Sequence, residues 1–452
     1  MRAIICLGKS NIQKRVNFVD VTMKLRKATY HLWTFTISKL ISTFGASVYA
    51  FGISFYILSI TGSATSFATN LICNILPRML LAPFAGYAAD KYSKKTIVIV
   101  AQIFSVLAVG GLLAVSVSVG LSLISIYITT CILSITSLFS GVTFSSAIAN
   151  LVDDERIQKA MSFNQMSVSI ASTGGPAVGG LLFGLVSMPM FLVIHMIGYA
   201  IGVVLEATMD FKLFTKKTGE VSKEKKESMF QSIKSGIVYL KEHRVLTVIV
   251  WVALVINFFF GAFLIGYSFI LVEKLKVEST HFGLTEGAFA MGMLITSIYF
   301  SARKDVEFPL VVAKRGIIVE CVLMTVVTIP LLISLSYKGV FSFYLVLMFA
   351  FGVCMIFVNT PIGVMMQKRV DEEYRGRVFG LLETMATSLM PLAMIIFGFL
   401  YDVIPAHYIL IVSSSIMFIA VLYMLRPSIM KQAHPELEEK GIVNETVKVV
   451  SS

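Results

Sequence analysis

The chain has 452 residues, of which 56% are hydrophobic and 14% charged, and its net charge is +12. A soluble domain carries about 25% charged residues, and no soluble core of this length buries so much apolar surface around so little charge. An ordinary cytosolic enzyme, a disordered chain and a nucleic-acid reader are excluded, and an all-α protein with many membrane spans is implied.

In chain order the sequence reads as a cytoplasmic segment 1–30, a bundle 31–210, a linker 211–245, a second bundle 246–425 and a cytoplasmic tail 426–452. Twelve spans are expected, at 32–60, 65–89, 96–117, 121–150, 161–186, 188–209, 246–272, 281–302, 316–336, 340–366, 378–401 and 406–425. Thr96 to Val152 holds no Asp, Glu, Lys, Arg or His over 57 residues, enough for two spans of about 20 residues each. Whole runs are apolar, so the alternation of a membrane barrel is absent. Glycine and proline interrupt the runs, as membrane helices allow.

The charges set the orientation. Of 38 Lys and Arg, 33 fall at the two ends and in alternate loops. Three (Lys274, Lys276 and Lys338) lie in the other loops, and Lys39 and Arg78 lie within spans. This positive-inside bias puts both termini in the cytoplasm. The basic charge is an orientation signal, not a sign of a nucleic-acid partner. The apolar stretch before Lys9 is too short for a signal peptide. Met23, ahead of Lys24, Arg26 and Lys27, is a second candidate start.

Five scattered cysteines, four of them in spans, lack metal-ligand spacing and read as small hydrophobes. No cofactor or metal is expected. Gly8-Lys9-Ser10 matches the end of a phosphate loop, but Ala3 stands where the first glycine is required.

The linker holds nine basic and four acidic residues between Phe211 and Arg244. Phe230, Ile233, Ile237 and Leu240 share one helical face there, which predicts an amphipathic helix on the membrane surface. The bundles on either side repeat. A shift of 218 residues lays Val152-Asp153-Asp154-Glu155 on Val370-Asp371-Glu372-Glu373, Lys159 on Arg377 and Gly180 on Gly398. A shift of 216 lays Phe44-Gly45-Ala46 on Phe260-Gly261-Ala262. Two six-span halves of one orientation are expected.

The loop after the second span carries the strongest motif, Gly86-Tyr-Ala-Ala-Asp90-Lys91-Tyr-Ser93-Lys94-Lys95. The glycine permits close helix approach. The aspartate, one turn later among three cations, can pair with a facing helix start or with arginines. Span 5 carries Gly174-Gly175-Pro176-Ala177-Val178-Gly179-Gly180, where proline removes a helix hydrogen bond and glycine thins the helix.

Gly-x-x-x-Asp-Lys-x-x-Lys-Lys after the second of twelve spans resembles the signature loop of the major facilitator superfamily, with Ser93 in place of its second glycine. The resemblance implies that Asp90 latches the two halves on the cytoplasmic side, against Arg375-Gly376-Arg377 at the start of span 11. Gly175-Pro176-x-x-Gly179, followed by Gly180, resembles the antiporter motif of exporters in that superfamily. Leu76-Pro77, Thr61-Gly62-Ser63-Ala64 and Gly376-Arg377-Val378-Phe379 further resemble the bacterial macrolide-efflux-type exporters, over about residues 25 to 425.

Each charge inside the membrane is a functional candidate, because insertion costs about 2.5–3.5 kcal/mol. Glu383, whose repeat mate is Gln165, is the first choice for a proton carrier in span 11. Arg78 and Lys39 are the cavity cations. Glu206 and Glu320, near span ends, read as interfacial charges whose heads reach the headgroups. His195 reads as a hydrogen-bonded helix residue. Many proton-coupled exporters of the superfamily carry an arginine in span 4. Leu133 stands near that place here, so Lys39 or Arg78 supplies the cation or the coupling differs.

The expected function is export of small hydrophobic compounds, of macrolide or multidrug type, by proton antiport with alternating access. The protein is expected as a monomer in the bacterial cell membrane, with a small-molecule substrate, protons and the lipid bilayer as its partners. The alternatives are a siderophore or metabolite exporter of the same fold, an importer, and a non-transporting membrane sensor.

Overall fold

The computed structural model describes residues 2–211, 213–214, 229–302, 306–371, 374, 378–379, 381–382, 384–385 and 388–435. Every element among them is helical. The first six are α1 (Arg2–Thr61), α2 (Ala64–Lys91), α3 (Lys94–Ser118), α4 (Leu123–Leu151), α5 (Asp154–Leu185) and α6 (Met188–Ala207). Next come α7 (Met229–Glu242), α8 (Arg244–Phe269) with a π turn at Ile270–Lys274, α9 (Ser279–Ala302), α10 (Pro309–Val326) and α11 (Ile329–Leu332). The last are α12 (Tyr337–Arg369), α13 (Met390–Val403), α14 (Ala406–Met424) and α15 (Pro427–Ala433).

The breaks between α1 and α6 are two to four residues long and carry turn chemistry. Gly62 adopts φ +60 between α1 and α2, a backbone conformation that favours glycine. Ser122 caps α4 by accepting from the Ser125 amide at 3.2 Å. Proline opens α10 and α15 in the first turn, where its missing N–H costs nothing.

Among the described residues, nine helices are long and apolar enough to cross a membrane. The spans expected at 281–302, 316–336 and 378–401 fall on α9, on the shorter α10 with α11, and on α13. α10 pauses at Val327 and Thr328 before α11.

Two units separate by their contacts. The first is Met1–Ile53 with Cys73–Val221; the second is Ser54–Ile72 with Ser222–Ser452. The far ends of α1 and α2 thus pack with the second unit. A helix, α7, lies within the segment read as the linker, and the side chains of Phe230 and Ile233 lie outside the described residues. Its buried residues are Tyr239 and Leu240, whereas Ile237 is exposed. The reason is a docking contact: the Tyr239 hydroxyl donates to Asp371 Oδ2 and accepts from the Asp371 amide, both at 3.1 Å. Its ring also stacks on Tyr374 at 4.6 Å.

Some contacts recur in the two units at nearly the offset read from the sequence. Lys95 Nζ donates to Ala207 O at 2.7 Å, and Lys314 Nζ donates to Leu425 O at 2.9 Å. Ala207 and Leu425 differ by the repeat offset of 218. In each unit a cation sits at a helix C-terminus, where unpaired carbonyls and the macrodipole favour it. Likewise the Arg156 amide bonds Asp153 O at 2.9 Å, and the Tyr374 amide bonds Asp371 O at 3.0 Å.

Candidate functional site

The first unit contains a cavity of about 40 Å³ among α1, α3, α4 and α6. α1 supplies Lys39 and Ser42, α3 supplies Gln102 and Ser105, and α6 supplies Tyr199 and Glu206. Glu206 is 0% exposed. Its Oε1 accepts from Ser38 Oγ at 2.8 Å and from Gln102 Nε2 at 3.3 Å. Gln102 also donates to Ser42 Oγ at 2.6 Å. Among the described residues, Glu206 Oε2 is buried without a hydrogen-bond partner. Lys39 points toward α4: a Cβ built on Gly141 would lie 3.9 Å from its Nζ. The expectation that Glu206 reaches the interface is therefore corrected. Partners on α1 and α3 draw it inward, and the closed α6 end, capped by Lys95, lies beyond it.

The loop motif is held by its own unit. Lys91 donates to Tyr87 Oη at 2.9 Å, Lys94 to Ser146 O at 2.6 Å and Lys95 to Ala207 O at 2.7 Å. The two lysines at the start of α3 thus fix the loop to the ends of α4 and α6. A Cβ on Gly86 would meet no heavy atom within 4 Å. The side chains of Asp90 and Gln165, and all of Arg375, Gly376, Arg377 and Glu383, lie outside the described residues. Arg78 is exposed on α2 and does not line the cavity.

The span-5 motif forms a tight crossing. α5 runs unbroken through Pro176. A Cβ on Gly175 would lie 2.2 Å from Ser47 Oγ, and one on Gly179 would lie 3.1 Å from Val48 O. Gly180 is buried beside them. Only glycine lets α5 lie this close to α1. His195 is buried, with Nδ1 2.8 Å from Phe191 O, as a helix residue of that kind should be.

Two acids escaped the sequence reading. Glu286 is the single acid in α9, beside Thr285, whose hydroxyl is 2.5 Å from Tyr267 Oη. An acid in an otherwise apolar helix was the available signal. Asp402, near the end of α13, accepts from the Ala64 amide at 2.6 Å, the Thr65 amide at 3.0 Å and Ser63 Oγ at 2.8 Å. It caps the start of α2 from another helix, satisfying donors that α2 cannot satisfy itself. No sequence signal joins positions so far apart.

Long apolar helices in two units with matching internal contacts, one enclosing a charged cavity, are the build of a multi-pass membrane transporter. The profile of the Major Facilitator Superfamily matches residues 35–393 and 313–450, and the chain belongs to that family. Macrolide efflux protein A of Streptococcus pyogenes is 22% identical over 393 residues, covering 87% of this chain and 94% of that protein. The staphyloferrin A transporter of Staphylococcus aureus is 24% identical over 365 residues, covering 78% of this chain and 85% of that one. The fold matches a crystal structure of the nucleoside transporter NupG at TM-score 0.63 and 12% identity, over 89% of this chain and 99% of that one. It matches the D-xylose-proton symporter at TM-score 0.62 and 11% identity, over 88% and 98%. The chain is a transporter of small molecules, not an enzyme.

Proposed function

We propose that this protein exports small hydrophobic compounds, of macrolide or multidrug type, in exchange for entering protons. It works as a monomer in the bacterial cell membrane with both ends in the cytoplasm. The observation that carries the coupling is the cavity of about 40 Å³ holding Lys39 and Glu206. Its size decides its use. One water needs about 10–15 Å³, so a few waters fit. A drug-sized ligand needs about 300–1,000 Å³. The cavity suits protons, and the drug binds elsewhere. Leu133, near the place where related exporters often hold an arginine, lines this cavity beside Lys39. Lys39 therefore supplies the cation from α1.

The choice of cargo rests on the macrolide efflux relatives, matched over nearly their full length. In this reading Asp90 latches onto Arg375-Gly376-Arg377 at the cytoplasmic face, and Asp402 holds the start of α2 at the other. Glu383, paired by the repeat with Gln165, is the coupling or cavity candidate of span 11 and lies outside the described residues. The staphyloferrin A transporter among the relatives favours siderophore export as the second reading. An anionic siderophore would make Arg78 essential, whereas a neutral or cationic drug would not.

The test uses inside-out vesicles with an acid interior followed by a pH-sensitive dye. Macrolides, cationic dyes and siderophores are added in turn. Proton release triggered by a macrolide or a dye is expected. Release by siderophores alone would replace the cargo, and no release from folded protein would overturn proton-driven export.

A further inference from the structure

The contacts of Glu206 with α1 and α3 use only half of its carboxylate. It is fully buried, yet only one of its two oxygens is bonded. Buried polar atoms are paired in the great majority of cases, and an unpaired one calls for an explanation. An ionised carboxylate with a bare oxygen, taken from water without a partner, is far costlier than a neutral one. Lys39 lines the same cavity, yet among the described residues the two make no ion pair within 4 Å. Its ammonium is turned toward Gly141 on α4.

The geometry is that of a carboxylic acid. Oε1 is the carbonyl oxygen, accepting from Ser38 and Gln102. In that form Oε2, buried and unbonded on a residue that lines the cavity, carries the proton. We infer that Glu206 is the proton-binding site of the first unit, and that Lys39 swings from Gly141 to the carboxylate when the proton leaves. On release the O–H bond of Oε2 breaks, the proton passes to water in the cavity, and the ammonium of Lys39 compensates the negative charge left behind. On uptake the steps reverse, and no other reactant is needed.

The groups around the site are few. α1 presents Lys39, α6 presents Tyr199, and α3 and α4 present only uncharged side chains such as Gln102, Ser137 and Leu133. The next cations are Arg78, within electrostatic reach of Lys39, and Lys95, bonded to the carbonyl of the residue after Glu206. One acid and one movable cation make a two-state site in which proton and ammonium compete for the same oxygen. This site deepens the proton-coupled reading above and rests on it for its role in transport.

The experiment separates the site from the cargo. Infrared difference spectra of the full chain in lipid, cycled in pH without substrate, report the carboxylic C=O stretch. A band lost in Glu206→Gln is expected. Ser38→Ala, which removes a donor to Oε1, should shift that band to higher frequency. Lys39→Met should leave the band present at every pH, because nothing then compensates the anion. In inside-out vesicles, erythromycin-driven proton release should fall on the order of a hundredfold in Glu206→Gln, while erythromycin counterflow persists. A band unchanged in Glu206→Gln, or release unaffected by it, would overturn the assignment. A Glu206 band present in a protein that ignores erythromycin would keep the proton site and overturn the macrolide reading instead.

Discussion

The two units share their frame and differ in their charge. In the first, Gly175 of α5 lies against Ser47 of α1. In the second, a Cβ on Gly261 of α8 would lie 2.9 Å from the Cβ of Ala393 on α13. Ala393 is the repeat mate of Gly175 at 218 residues. The same pair of helices crosses closely in both, but the glycine has changed sides. The polar positions have diverged further. Gln102 has Glu320 as its mate at that offset, and Glu206 has Met424. Glu206 of the first unit sits on its sixth helix at the wall of the cavity. In the second unit Glu286 on its second helix and Glu320 on its third are both half-buried. The second unit's own pocket, about 370 Å³ beside Cys321, Thr325 and Ser414, is open and lined largely by apolar side chains. Packing contacts bind both halves alike, because each must close its own helices. The buried charge is divided unequally between the halves.

The largest expected effect tests that division. Glu320→Gln should leave at least about half of the substrate-driven proton release, whereas Glu206→Gln should remove it, a loss on the order of a hundredfold. Equal losses would make the acids one coupled pair and end the idea that a single unit holds the proton. The readout is the dye assay on inside-out vesicles, with protein amount fixed.

The next effect breaks the shared crossing. Gly175→Ala should destabilise the protein by about 1–3 kcal/mol, as overpacking of a close contact does. Gly261→Ala should cost less, since its nearest atom is 2.9 Å away and not 2.2 Å. Adding Ser47→Gly to Gly175→Ala should restore most of the loss, moving the glycine to the other helix as in the second unit. Thermal midpoints of the purified protein in detergent check the order. A double variant no better than Gly175→Ala would show that the crossing tolerates no exchange of sides.

These cases show what could be read from the sequence. The all-helical membrane fold was legible because lipid demands long apolar helices. The close crossing at Gly175 was legible because a run of glycines in a span marks a helix thinned for close approach. Glu206 was misread, since its depth in the span was visible but its partners Ser38 and Gln102 lie 168 and 104 residues away. The trans cap by Asp402 was missed for the same reason, being set by tertiary contact across more than 330 residues. The loop lysines were legible as a motif and not as helix caps, because the carbonyls they meet belong to other helices.

Asp402 gives a smaller effect with a pH signature. It lies one residue past the expected span 11. Partial burial alone pushes its carboxyl up, but the bonds from Thr65, Ser63 and Ala64 outweigh this and leave it below the usual carboxylate range. A depressed carboxyl stabilises above its unfolded value, about 3.9, and loses that contribution only as pH falls through the lower folded value. Asp402→Asn should therefore cost about 0.5–2 kcal/mol, the size of a lost helix cap, and cost it equally at pH 7 and pH 5. Hydrogen exchange at the Ala64 and Thr65 amides should quicken in the variant. A cost that disappears by pH 5 would contradict the hydrogen-bonded, ionised cap.

The smallest effect returns to what the two units share. Lys95 and Lys314 each hold the last carbonyl of a helix, at 2.7 and 2.9 Å. A cation at a helix C-terminus contributes about 0.3–1 kcal/mol. Lys95→Met and Lys314→Met should each lower stability by that amount, and because they act in separate units the double variant should show the sum within about 0.5 kcal/mol. Their effects on transport should part. Lys95 bonds the residue next to Glu206, so its loss should loosen the end of α6 and shift the pH at which proton release is half-maximal. Lys314 borders no such acid on α14, where Met424 stands in place of Glu206, and its loss should leave that pH unchanged. Equal shifts in the two variants would mean that the caps act through the fold as a whole and that the charge of the first unit is not set apart from the second.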